Sequence, residues 1–158
     1  VRKAVTLPLI AAGGIASGSQ MAAVFALGAE AVQVGSRFVA THESSAHPNF
    51  KEAVINTREG DTQLTLKQLT PVRLIKNDFF KRVDEAEKRG AGLEELSQLL
   101  GRARAKKGMF EGDLVEGELE IGQVSAAIGS IKPAADVVQE IYLEFLETLS
   151  ALQKRLQP

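Results

Sequence analysis

The stretch from Leu7 to Phe38, LPLIAAGGIASGSQMAAVFALGAEAVQVGSRF, holds two apolar runs that each end in glycine, with one helical stretch between them. Leu7 to Ala12 is short and wholly apolar, the pattern of a strand buried on both faces of a parallel sheet, and Ala31 to Val34 is a second such run. Between them Ser19 is placed to cap a helix in which Met21, Val24, Phe25 and Leu27 fall at helical spacing, and Gly28 suits the left-handed position that ends it. The reading is a strand, helix, strand unit with a right-handed connection, hence an α/β fold class.

In parallel α/β folds ligands collect at the carboxyl ends of strands, where glycine lets backbone N–H groups approach an anion with no Cβ in the way. Gly13-Gly14 and Gly35-Ser36 lie at two such ends. Neighbouring parallel strands run roughly 4.8 Å apart. Amides from both tips, the helix N-terminus near Ser17 to Ser19 and the Ser36 hydroxyl are therefore expected to converge on one phosphate. Eight-stranded (β/α) barrels often make such a site after strands seven and eight. Spacing alone also fits turns that bind nothing.

Downstream, Thr41 to Arg58 reads as a helix capped by Ser44 or Ser45, with Pro48 in its first turn and Phe50, Val54 and Ile55 on its apolar stripe. The α/β rhythm then stops. Residues 60–80 alternate only briefly and contain Pro71, which predicts irregular or edge-like structure. Helices are expected over Phe79 to Arg89 and Leu93 to Ala105, then a glycine-punctuated acidic loop, GMFEGDLVEGELEIGQ. A long helix runs from Pro133 to about Leu156. On it Val138, Tyr142, Phe145, Leu149, Leu152 and Leu156 form a seam for intramolecular packing or, alternatively, a homodimer contact. A boundary near residue 58 divides the chain into 1–58 and a mainly helical 59–158.

Composition narrows the function. Nineteen basic against twenty acidic residues give a net charge of -1, with no basic block for nucleic acid or anionic lipid. The absence of cysteine removes disulfides, thiolate metal sites and a cysteine nucleophile, and fits a cytoplasmic protein. No apolar run approaches the roughly 20 residues of a membrane span. Val1 opens almost directly onto a strand, so the chain is expected to start in the middle of a fold.

The motifs PLIAAGGIASG, GAEAVQVGSRFVAT and ESSAHPNFK resemble the last two barrel units of the nitronate monooxygenase family and of the related FMN-dependent enoyl-acyl-carrier-protein reductases. The stretch GMFEGDLVEGELEIGQVSAAIGSIKPAADVV resembles the segment that closes those proteins. The resemblance implies the C-terminal portion of a TIM-type (β/α)8 barrel with a mainly helical C-terminal extension. It implies an FMN phosphate held at Gly13, Gly14, Gly35 and Ser36, where the family more often has threonine at the last position. Gln123 matches the GQ of the closing segment and is a weaker candidate for the wall of a substrate pocket.

The expected reaction is oxidation of alkyl nitronates by dioxygen. The alternative is reduction of an enoyl thioester by NAD(P)H, for which an acyl carrier protein would be the partner. The family's histidine near the flavin belongs to the earlier half, so no catalytic residue is assigned here, and the isolated chain is expected to be inactive. A third reading is a non-catalytic fragment or interaction module.

Other candidates have plainer explanations. His47, and similarly His42, falls outside the barrel and is read as structural or surface rather than as a general base. Asp113, Glu116, Glu118 and Glu120 miss the spacing of an EF-hand and are read as a solvated acidic face, so no metal site is expected. Arg102, Arg104, Lys106 and Lys107 form the one basic cluster and are read as surface solubility, with carrier-protein docking as the alternative.

Overall fold

The computed structural model describes residues 1–157. Strand β1 (Ile10–Ala12) and strand β2 (Ala31–Gln33) pair in parallel, with Ile10, Ala11 and Ala12 opposite Ala31, Val32 and Gln33. Helix α1 (Gly18–Ala26) connects them, as the apolar runs and their glycines predict. Its C-terminus closes as expected, with Gly28 at φ +95° and its N–H donating to the Phe25 carbonyl at 2.9 Å. The cap is Ser17, not Ser19: the Ser17 hydroxyl accepts from the Gln20 N–H at 3.2 Å, while the Gln20 side chain accepts from the Ala16 N–H at 2.7 Å.

The expectation of strands buried on both faces does not hold within this chain. Ile10 is 59% exposed, because a two-stranded sheet leaves its outer positions without neighbours.

A short helix α2 (Ser36–Val39) follows β2 directly. Helix α3 (Pro48–Ile55) is shorter than the sequence suggests and is capped by His47 instead of Ser44 or Ser45. Its Phe50 and Val54 pack with Ala16, Ala40, Leu119, Ile121 and Ile128, so one core joins residues from both sides of position 58.

Strands β3 (Thr62–Thr65) and β4 (Val72–Ile75) form a separate antiparallel hairpin where irregular or edge-like structure was expected. Pro71 sits just outside the ladder and costs it no hydrogen bond. Helix α4 (Asp78–Lys88) covers the hairpin through Phe79, Phe80 and Val83, and helix α5 (Leu93–Leu100) adds Leu99 and Leu100. Helix α5 stops at Gly101 (φ +64°), earlier than the expected Ala105.

A π-helical turn (Lys106–Phe110) and a 3-10 turn (Gln123–Ala127) lead to α6 (Ala134–Leu156), which opens after Pro133 as expected. It lies along α1, where Phe145 of the expected seam packs edge-on against Phe25, but at its start the buried face is one residue off that seam. Val137 and Ile141 are buried, whereas Val138 and Tyr142 are more than half exposed. Among the described residues no helix is long and apolar enough to cross a membrane.

Candidate functional site at the tips of the parallel strands

Because Ala12 pairs with Gln33, the segments that leave the two strands emerge side by side. Gly13 (φ +87°) and Gly14 (φ +72°) both hold left-handed backbone, which a side chain would strain. A Cβ placed at Gly13, Gly14 or Gly35 would meet nothing within 4 Å, so no packing contact requires glycine at these positions. The N–H groups of Gly14 and Gly35 find no acceptor among the described residues. The first residue of α2 is Ser36, whose N–H has no acceptor within its own helix. The Ser36 hydroxyl oxygen accepts from the Gly122 N–H at 3.1 Å. Gly35 lines a cavity of about 480 Å³ with Phe38, Val39, Thr41 and Glu43.

The donors at the N-terminus of α1 are already occupied. The Glu144 carboxylate, from α6, accepts from the Gly18 N–H at 3.0 Å and the Ser19 N–H at 3.2 Å. Burial pushes the Glu144 carboxyl up, but the N–H bonds from Gly18 and Ser19 and the Ser19 hydroxyl together hold it below its ordinary range. The expected contribution of Ser17 to Ser19 to phosphate binding is therefore corrected: a protein carboxylate already satisfies those donors.

Gln123 is exposed and lines a cavity of about 340 Å³ with Gln20, Arg58 and Thr62. Ser36 lines a different cavity, of about 390 Å³, with Val72, Arg73, Glu120 and Gly122. The structure thus does not bring Gln123 into the cavity of Ser36; its neighbour Gly122 is the residue that lines it. His47 accepts through Nδ1 from the Asn49 N–H at 3.1 Å, a capping role in keeping with the structural reading. Among the described residues no group of three or more histidine or acidic side chains is arranged to hold a metal.

The acidic stretch is not a solvated face. Glu116 forms a fork with Arg82 at 2.9 and 2.6 Å, and Arg104 reaches the same carboxylate at 3.2 Å. The Arg82 hydrogen bond does most to hold the Glu116 carboxyl low. Asp113 accepts from the backbone N–H groups of Val115 and Glu116 and pairs with Lys107 at 3.1 Å. Glu118 is buried, and desolvation, then the neighbouring Glu120, pushes its carboxyl up to about 7. Burial also raises Glu120. In the basic cluster Arg104 donates to the carbonyls of Leu99, Leu100 and Glu116 and lies 4.7 Å over the Phe79 ring. Two of the cluster's charges, Arg104 and Lys107, are thus engaged inside the fold.

Sequence reasoning missed the buried cations. Arg37 donates to the carbonyls of Ala40 and Ser130, each at 3.2 Å, and Lys51 to those of Thr41 at 2.7 Å and His42 at 3.3 Å. Burial lowers the Arg37 pKa, with Glu140 opposing. The only signal was position: Arg37 follows Ser36 directly, and Lys51 adjoins the core residue Phe50.

These features define an α/β protein with glycines at the carboxyl ends of two adjacent parallel strands and a mainly helical segment bonded to one of those ends through Gly122. The chain belongs to the nitronate monooxygenase family, a family of oxidoreductases: the family's sequence model, described as nitronate monooxygenase, matches residues 1–144. It is 31% identical over 157 residues to the Mycobacterium tuberculosis protein Rv1533, named as a monooxygenase, covering 95% of this chain and 42% of that one. A Bacillus subtilis protein named as a nitronate monooxygenase is 45% identical over 62 residues, 39% of this chain and 18% of the relative.

Among solved structures, FabK from Thermotoga maritima superposes with a TM-score of 0.92 at 39% identity, over 99% of this chain and 50% of that one. A nitroalkane oxidase from Streptomyces ansochromogenes superposes at 0.76 with 34% identity, over 96% and 43%. The chain spans half or less of the length of these relatives.

Proposed function

We propose that this chain is the C-terminal portion of a (β/α)8-barrel, FMN-dependent oxidoreductase. Residues 1–58 supply the last two β/α units with the phosphate side of the flavin site, and residues 59–158 form an extension that closes it. The observation that carries this reading is the pair of adjacent strand tips, with left-handed glycines at the end of β1 and Gly35 and Ser36 at the end of β2. The donor set fits a phosphate. The strand tips offer N–H and O–H groups, and the Ser36 cavity also holds Arg73 and the carboxylate of Glu120, whose pKa burial raises.

A bound FMN would supply the redox chemistry between the substrate and dioxygen. This chain's residues bind and orient. Gly13, Gly14 and Gly35 donate main-chain N–H bonds, Ser36 adds its hydroxyl, and the buried Arg37 and Lys51 brace the carbonyls of the loop behind α2. The reaction of the whole protein in this reading is oxidative denitrification of alkyl nitronates, with the proton-transferring residue outside this chain. The superfamily resemblance also covers reduction of an enoyl thioester with NAD(P)H, which would use the same cradle.

Quenching of FMN fluorescence by the 158-residue chain, wild type against Gly14→Val, tests the cradle. Micromolar or tighter binding in the wild type and its loss in the variant are expected; equal affinity for both refutes the assignment. On a full-length parent, oxygen uptake with an alkyl nitronate, set against oxidation of NADH with crotonyl thioester, decides between the two chemistries.

A further inference from the structure

The Gly122 N–H donates to the Ser36 hydroxyl oxygen at 3.1 Å, across 86 residues of chain. Gly122 is held from both sides: the Ile121 N–H donates to the Arg73 carbonyl on β4 at 3.1 Å, and the Gly122 carbonyl accepts from the Ser125 N–H at 3.0 Å. Ile121 itself is buried in the core shared with α3. An oxygen that accepts a hydrogen bond on one lone pair directs its own proton elsewhere. The Ser36 O–H donates to nothing among the described residues, and Ser36 directly follows Gly35 at the end of β2 and lines an open cavity of about 390 Å³.

We propose that Gly122 is a positioning residue for the anion site: its N–H fixes the Ser36 hydroxyl so that the Ser36 proton is presented to the phosphate. This rests on the flavin-phosphate reading above. It makes the closing extension part of the cofactor site through one main-chain bond, and it explains why position 122 is glycine. A Cβ there would lie 2.7 Å from the Ser36 oxygen and 3.9 Å from its Cβ, with no other atom within 4 Å. The backbone of Gly122 (φ -70°, ψ 153°) suits any residue. An alanine at 122 is therefore relieved by rotating the Ser36 side chain and leaves the fold intact.

The test has two readouts on the 158-residue chain. In the absence of flavin, amide hydrogen exchange at Gly122 is expected to be slower in the wild type than in Ser36→Ala, which leaves position 122 unchanged. In FMN fluorescence titrations Gly122→Ala and Ser36→Ala are each expected to weaken binding about tenfold, the scale of one hydrogen bond to a charged group. The double variant is expected to be no weaker than either single one, and Ser36→Thr to retain binding. Unchanged affinity in Gly122→Ala, a loss that adds in full to that of Ser36→Ala, or unprotected exchange at Gly122 in the wild type overturns the proposal alone. A wild-type chain that takes up no FMN overturns the flavin reading and this one with it.

Discussion

Gly18 is the residue on which the packing of the two longest-range helical partners turns, and replacing it with alanine has a calculable cost. A Cβ at Gly18 would lie 2.2 Å from the Phe145 nitrogen, 2.3 Å from the Ile141 carbonyl oxygen and 2.6 Å from the Glu144 carbonyl carbon. All three are backbone atoms of α6, so no side chain can swing aside, and the helices must part by about 1 Å to restore van der Waals contact. Overpacking of this kind costs about 1–3 kcal/mol. The same movement lengthens the two bonds from Gly18 and Ser19 to Glu144 and the edge-on contact of Phe25 with Phe145, 5.3 Å between centroids. Charged hydrogen bonds contribute about 1.5–3 kcal/mol each and an aromatic pair about 1 kcal/mol, so even partial loss adds roughly 2 kcal/mol. Relief of glycine's helix penalty returns at most about 1 kcal/mol. The net expectation for Gly18→Ala is a destabilisation of about 3 kcal/mol, or a fall of roughly 6–12 °C in Tm for a chain of this size. Circular dichroism at 222 nm during thermal and urea unfolding measures it. A Tm unchanged within about 1 °C, or raised, refutes the close approach of α1 and α6.

Three further outcomes follow from the structure. Glu118 has a folded pKa of about 7 against an ordinary 4.5, so the folded state holds its proton more tightly. Its stability contribution is full below about pH 4.5 and is lost as pH rises through 7, a change on the order of 3 kcal/mol. Glu118→Gln is therefore expected to raise the urea midpoint at pH 8 and leave it unchanged at pH 4; a pH-independent difference contradicts the burial argument. Arg104→Met keeps bulk over Phe79 but removes the donors to Leu99, Leu100 and Glu116, and is expected to cost about 2–3 kcal/mol in urea unfolding. A loss below about 0.5 kcal/mol would show those bonds to be exchangeable with water. Gly14→Ala forces a Cβ into φ +72° and is expected to cost about 1 kcal/mol, read as a small fall in midpoint; a gain in stability would place that residue outside the left-handed region.

The parallel unit was legible because three signals agree there: two short apolar runs, glycine at each end, and a helical period between them. The α6 face was not, because the helix carries adjacent apolar pairs, Val137-Val138 and Tyr142-Leu143, that let two neighbouring stripes satisfy the same spacing. What selects Val137 and Ile141 is the absence of a side chain at Gly18, which admits the α6 backbone at Ile141 to Phe145. That information lies in a single glycine over 100 residues away. The acidic stretch was misread for a related reason. Charge density in one loop says nothing about Arg82, 34 residues upstream of Glu116, or about the burial of Glu118. The placement of Gly13, Gly14, Gly35 and Ser36 at the ends of two adjacent strands was readable from the apolar runs, whereas the Gly122 to Ser36 bond is a contact that no local pattern encodes.

Two sets of N–H groups near the strand tips are candidates for the proposed anion, and they differ in what already occupies them. The first turn of α1 offers donors and the positive end of a nine-residue helix, yet the Glu144 carboxylate already accepts from Gly18 and Ser19. Those bonds hold Glu144 charged despite its partial burial, so an incoming phosphate would meet a fixed negative charge there. At about 6 Å and an effective dielectric constant near 20, two unit charges repel by roughly 3 kcal/mol, enough to cancel a charged hydrogen bond. The N–H groups of Gly14 and Gly35 instead find no acceptor among the described residues. In the proposed reading, the carboxylate that secures α6 to α1 therefore also disfavours an anion at the helix end and leaves the glycines and Ser36 as its site.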